Sequence, residues 1–182
     1  VLDHDENGLG FRLANFDGLR RMSRILHGIS TPTPPMPLDF RYRLRVRYAE
    51  CDAQKVVFNA RYGDYIDLAA TEFMRALGYG EELLDGRLDY QLVKQTVEWR
   101  APAHFDDVLS IAVSSPQQGN TSFSLLFEFR RADDEDQWLA RAETIYVLVS
   151  PALAKMPLPE SLRESLRTGA PDRVTCHAGW QK

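Results

Sequence analysis

The sequence predicts an α+β fold in which a strongly curved antiparallel sheet wraps around one long central helix. Three patterns carry that expectation. Residues 41–48 alternate strictly, with Tyr42, Leu44, Val46 and Tyr48 on one face and Arg41, Arg43, Arg45 and Arg47 on the other, the period of a strand with one wet face. Residues 60–77 change to helical period, with Tyr62, Tyr65, Ile66, Ala69, Phe73, Met74 and Leu77 along one broad stripe. Four strand-like stretches then follow without another helix of comparable length. One long helix covers only one face of a sheet, so a sheet curved around it is the economical arrangement.

In chain order, residues 1–36 read as an N-terminal extension ending in the Pro-rich linker Thr31-Pro32-Thr33-Pro34-Pro35. Leu19, Met22, Ile25 and Leu26 share one face of a short candidate helix there. The chain begins with Val, and Met22 or Met36 is a candidate natural start, so this zone is expected to be flexible or upstream sequence. Residues 37–150 form the expected domain. Its helix is expected to start at Asn59 as N-cap and to end at Gly78 in a left-handed conformation. The later strands are expected at 92–100, 108–115, 121–131 and 138–149, separated by turn-rich Ala101-Pro102, Gln118-Gly119-Asn120 and Ala132-Asp133-Asp134-Glu135. Residues 151–182 read as a tail with a short helix over 160–167 followed by polar sequence.

Composition narrows the class. The 182 residues carry a formal net charge of −4, which gives no general attraction to nucleic acid. No apolar run approaches the roughly 20 residues that span a bilayer, and no secretory signal is visible. Cys51 and Cys176 lie far apart without metal spacing, and His4, His27, His104 and His177 are scattered. These features are the expectation for a reduced, cytoplasmic protein that binds neither membrane nor nucleic acid.

Chemistry concentrates in Tyr48-Ala49-Glu50-Cys51-Asp52-Ala53-Gln54-Lys55-Val56-Val57-Phe58-Asn59. Two carboxylates end a strand, an apolar run follows, and the helix begins. A helix start offers unpaired N–H groups and partial positive charge, which a developing oxyanion needs, and a carboxylate alongside can attack or activate water. Gly63 would let a ligand approach the backbone of the first helical turns. Simpler roles compete. Asp52 can hold a turn. Glu50, two residues away, reads as solvated, and Cys51 as a small buried hydrophobe facing away from Asp52. His104 reads as a loop residue, the first-strand arginines as a solvated face, and Asp64 and Asp67 as complements to the helix dipole.

The run from Tyr48 to Phe73 resembles the 4-hydroxybenzoyl-CoA thioesterase family of hotdog-fold acyl-CoA thioesterases: Asp52, the aliphatic pair Val56-Val57, Phe58 and Tyr62 fall in register with its opening pattern. Trp99-Arg100-Ala101-Pro102-Ala103-His104-Phe105-Asp106-Asp107-Val108-Leu109 resembles the family's stretch after the second strand, so the likeness covers roughly residues 38–150. The resemblance implies a thioesterase that hydrolyses an acyl- or aroyl-CoA to acid and CoA without metal or organic cofactor. It implies Asp52 as nucleophile or general base, the Asn59 backbone N–H as the donor that polarises the carbonyl, and Phe58 and Tyr62 as walls of the acyl pocket. It also implies a homodimer or homotetramer, sheets paired edge to edge, with sites between subunits. The chain departs from the family at Lys55, where Gly is usual, and at Asn59, where His or Tyr is frequent. Those departures keep a non-catalytic acyl-CoA-binding module open as an alternative, and an acyl-ACP thioesterase is a second alternative within enzymes.

Overall fold

The computed structural model describes residues 40–179; the expected extension over 1–36 and its short helix lie outside the described residues. The order is β1 (Phe40–Arg45), a 3-10 turn (Tyr48–Glu50), α1 (Arg61–Ala76), α2 (Gly80–Asp85), β2 (Asp89–Trp99), β3 (Val108–Ser114), β4 (Ser122–Arg131), β5 (Trp138–Val149), α3 (Glu160–Thr168) and β6 (Val174–Cys176). The strands form one curved six-stranded sheet ordered β2-β5-β4-β3-β1-β6. All neighbours pair antiparallel except β6, which runs parallel to β1 with Arg41 opposite Val174.

Period-2 patterning puts Phe40, Tyr42 and Leu44 of β1, Leu109, Ile111 and Val113 of β3, and Phe123, Leu125, Phe127 and Phe129 of β4 into one core. The stripe of α1 fills it, with Tyr62, Tyr65, Ile66, Ala69, Ala70, Phe73 and Met74 all buried. Each such large apolar side chain contributes about 1.5–3 kcal/mol on removal from water. The expected helix and sheet are thus present, with one long helix against the apolar face.

Several details differ from expectation. β1 ends at Arg45, and Tyr48 is 81% exposed instead of sharing the apolar face. The cause is the 3-10 turn: Glu50 N–H donates to the Arg47 carbonyl while the Glu50 carboxylate accepts from Arg47 N–H. Asn59 is not the N-cap. Ala60 holds that position, already in helical conformation (φ −65°, ψ −23°) and without a side-chain cap. Gly78 takes the expected left-handed conformation, φ 96°. β2 starts at Asp89, before its expected first residue, because a register shift between Leu92 and Lys94 leaves Val93 outside the regular pairing and interrupts the alternation. The polar tail contains β6, whose 3 residues are too few to show a period. The tail also buries Leu162 and Leu166 of α3 in the core.

Candidate active site

Residues 51–57 fold as a tight hairpin. Asp52 N–H donates to the Val56 carbonyl at 2.9 Å, Lys55 N–H donates to the Asp52 carbonyl at 2.9 Å, and Cys51 bridges Val57. This pattern needs one left-handed residue after the turn, and Lys55 takes it with φ 63°. Asp52 Oδ1 accepts from Gln54 N–H at 2.7 Å, so Asp52 does hold the turn. That bond uses one carboxylate oxygen; among the described residues no hydrogen bond engages the other. Turn-holding therefore orients the carboxylate without consuming it.

The hairpin docks onto the segment after β2. Val57 N–H donates to the Ala103 carbonyl at 2.8 Å, and Val56 bridges His104. Both stretches that resemble the family meet there. His104 is a loop residue, as expected: its N–H donates to Asp107 Oδ2 at 2.8 Å, and Asp107 in turn accepts from Arg131 at 3.0 Å. The strand arginines of β1 lie opposite the core but are half-buried and ion-paired instead of simply solvated, Arg41 and Arg43 meeting Glu135 and Arg45 meeting Asp106.

The second hairpin arm leads into α1. Phe58 N–H donates to the Glu50 carbonyl at 2.9 Å, Arg61 N–H to Phe58 at 2.8 Å, and Tyr62 N–H to Asn59 at 3.3 Å. Among the described residues, the N–H groups of the exposed residues Asn59 and Ala60 carry no hydrogen bond. They are the free donors expected at a helix start. Asp52, Phe58 and Asn59 thus lie on one compact segment, the hairpin and its lead into α1. Phe58 is 54% exposed in the single chain. Tyr62 instead lies inside the core, its ring set edge-on against Trp99 and Phe129. Burial pushes its phenol up to about 12, offset in part by the Ala103 backbone. A Cβ at Gly63 would meet Gln95 Nε2 of β2 at 3.7 Å, an ordinary contact, so the chain's own packing does not require glycine there.

Two residues near the site have roles the sequence reading missed. Glu50 Oε2 accepts from the Tyr65 hydroxyl and from Arg47 N–H, both at 2.7 Å, so it is anchored instead of merely solvated. Burial, and then the Glu50 carboxylate, push the Tyr65 phenol far above its ordinary value. A tyrosine where the apolar stripe would accept phenylalanine was the available signal, because a buried hydroxyl needs a partner. Glu50 and Tyr65 also line a cavity of about 730 Å³ with Arg47, Tyr48, Leu68 and Phe105. Among the described residues, no cluster of three or more His, Cys, Asp or Glu is arranged to hold a metal ion, and no helix is long and apolar enough to cross a membrane.

Residues 46–166, spanning the hairpin, α1 and strands β2 to β5, match the thioesterase-like superfamily. The chain belongs to that superfamily. It is 35% identical over 125 residues to the acyl-CoA thioester hydrolase YbgC of Escherichia coli, a match covering 68% of this chain and 92% of that protein. Among solved structures, a gentisyl-coenzyme A thioesterase is 28% identical with a TM-score of 0.61, covering 69% of this chain and 98% of the other. A 1,4-dihydroxy-2-naphthoyl-CoA thioesterase from Synechocystis is 25% identical with a TM-score of 0.62, covering 70% and 94%. This member of the superfamily is a thioester hydrolase with a hotdog fold.

Proposed function

We propose that this hydrolase cleaves an acyl- or aroyl-CoA to the free acid and CoA, with Asp52 and the Asn59 N–H as its reacting pair. The carrying observation is the joint geometry of the hairpin and helix start: a carboxylate oxygen without a hydrogen bond on one arm, and unbonded N–H groups where the other arm enters α1. As nucleophile, Asp52 adds to the thioester carbonyl, the CoA thiolate leaves, and water hydrolyses the resulting anhydride. As general base, Asp52 takes a proton from water whose oxygen adds to the carbonyl, and the departing thiolate is then protonated. In both routes the carbonyl oxygen gains negative charge, which the Asn59 N–H and the helix start stabilise. Phe58 and Gly63 flank the acyl group, with Tyr62 backing them from the core. The names of the E. coli relative and of the two structural neighbours support a CoA thioester, and the neighbours' aromatic acyl groups support an aroyl substrate.

The same proposal includes a homodimer or homotetramer joined at β2. This 11-residue strand ends the sheet, and its exposed Leu92, Val93 and Trp99 are a costly surface to leave in water. Because Gln95 of β2 lies beside Gly63, a second copy at this edge would complete the site next to the helix start. A cytoplasmic location, read from the sequence, belongs to the proposal as well; fractionation checks it.

Thiol release from short, long and aromatic acyl-CoAs, with matched acyl-ACP in parallel, tests the reading. Asp52→Asn is expected to lower the rate by about 10²–10⁴-fold while the protein stays folded. Equal rates for wild type and Asp52→Asn would refute the role of Asp52, and a strong preference for acyl-ACP would refute the CoA assignment.

A further inference from the structure

We propose that Tyr65 is a positioning residue for this hydrolysis: through Glu50, its hydroxyl sets the Asp52 hairpin against the helix start that carries the Asn59 N–H. The proposal rests on the reading of Asp52 and Asn59 given above.

Three parts of the chain converge on Glu50. The exit of β1 donates Arg47 N–H to Oε2 at 2.7 Å, the second turn of α1 donates the Tyr65 hydroxyl to the same oxygen at 2.7 Å, and the second hairpin arm donates Phe58 N–H to the Glu50 carbonyl at 2.9 Å. Asp52 lies two residues after Glu50, and Asn59 directly follows Phe58. A shift of Glu50 therefore moves the carboxylate and the N–H donor relative to each other. The other ties of the hairpin, from Val57 to Ala103 and from Val56 to His104, fasten it to the loop after β2 and not to α1. Tyr65–Glu50 is the side-chain hydrogen bond that spans from the hairpin's base to the helix body.

The chemistry of Tyr65 supports the same role. Its ring is buried, so phenylalanine would fill the space equally well, and a hydroxyl placed in a core is unfavourable unless it is hydrogen-bonded. This one is spent on Glu50. Burial and the adjacent carboxylate keep the phenol protonated, so it stays a donor at every working pH. Reacting groups need placement to about 0.5 Å, and a misplacement of about 1 Å costs on the order of 10²-fold in rate.

The test measures kcat and KM on the full chain for Tyr65→Phe, Glu50→Ala, Glu50→Gln and the Tyr65→Phe/Glu50→Ala pair, normalised to folded protein, beside Asp52→Asn. Tyr65→Phe and Glu50→Ala are each expected to lower kcat about 10-fold with KM within about two-fold. The pair should be no worse than Glu50→Ala, because both changes break one link. Glu50→Gln keeps an acceptor for both donors and should restore most of the rate lost in Glu50→Ala. If Tyr65→Phe lowers the melting temperature but leaves kcat per folded site unchanged while Asp52→Asn is inactive, the positioning role is overturned and the Asp52 reading stands. Strictly additive losses in the pair would also overturn it. Wild-type rates in Asp52→Asn would instead overturn the reading on which it rests.

Discussion

Lys55 sits at the tip of the 51–57 hairpin with φ 63°, surrounded by solvent. A left-handed conformation costs an L-residue with a Cβ about 1–2 kcal/mol. Replacing Lys55 with glycine removes that penalty and restores the residue type usual in the resembling family. It also frees the unfolded chain, which costs about 0.4–1 kcal/mol. The balance is a net stabilisation of about 0.5–1 kcal/mol. At roughly 2–4 °C per kcal/mol for a domain of this size class, Lys55→Gly should raise Tm by about 1–4 °C. Lys55→Ala is the matched control, because it removes the ammonium group and keeps the strained Cβ, so it should leave Tm nearly unchanged. Calorimetry at low scan rate, with reversibility checked, reads both. A Lys55→Gly melting temperature at or below that of Lys55→Ala would refute the assignment of strain to this backbone position.

Two further expectations come from other parts of the fold. Burial pushes the Glu128 carboxyl up, but hydrogen bonds from Arg130 and Arg141 outweigh it and hold the group below its ordinary range. A lowered folded-state pKa gives stability that is present above the unfolded-state value and lost as pH falls through the folded-state value. Acid unfolding of the wild type should therefore steepen below about pH 4.5, the ordinary value for glutamate, and Glu128→Gln should flatten that limb; parallel acid limbs would contradict the coupling. Val93 is 59% exposed on the terminal strand β2, so Val93→Lys should shift the protein toward monomer in sedimentation velocity and lower thioesterase activity with it. An unchanged assembly would exclude β2 as the joining edge.

Legibility in the sequence followed the range of the interaction. Strand β5 spans Trp138–Val149 as read, and α1 lies within one residue of its expected ends, because period and punctuation are local signals. Gly78 was legible for the same reason. Tyr48 was not. Its place in a perfect alternation pointed inward, yet the Glu50–Arg47 contact turned the chain after Arg45 and exposed it. β6 was equally hidden, since its 3 residues become a strand only when the edge of β1 is there to pair with. Among the candidate site residues, Asp52, Phe58 and Asn59 were legible as one local motif. The burial of Tyr62 against the rings of Trp99 and Phe129 was not legible, because those rings come from strands distant in sequence.

By itself the sequence determined the class of fold and pointed to the segment that the proposed chemistry uses, because alternation, helical spacing and a carboxylate before a helix start all act within a few residues. Only the tertiary structure decided how that segment is held. The left-handed turn at Lys55, the bond from Gln54 that leaves one Asp52 oxygen unengaged, and the reach of Tyr65 across 15 positions to Glu50 exist only once the hairpin lies against α1. The physical reason is range: a hydrogen bond between distant residues carries no periodicity, so the order of residues along the chain does not announce it.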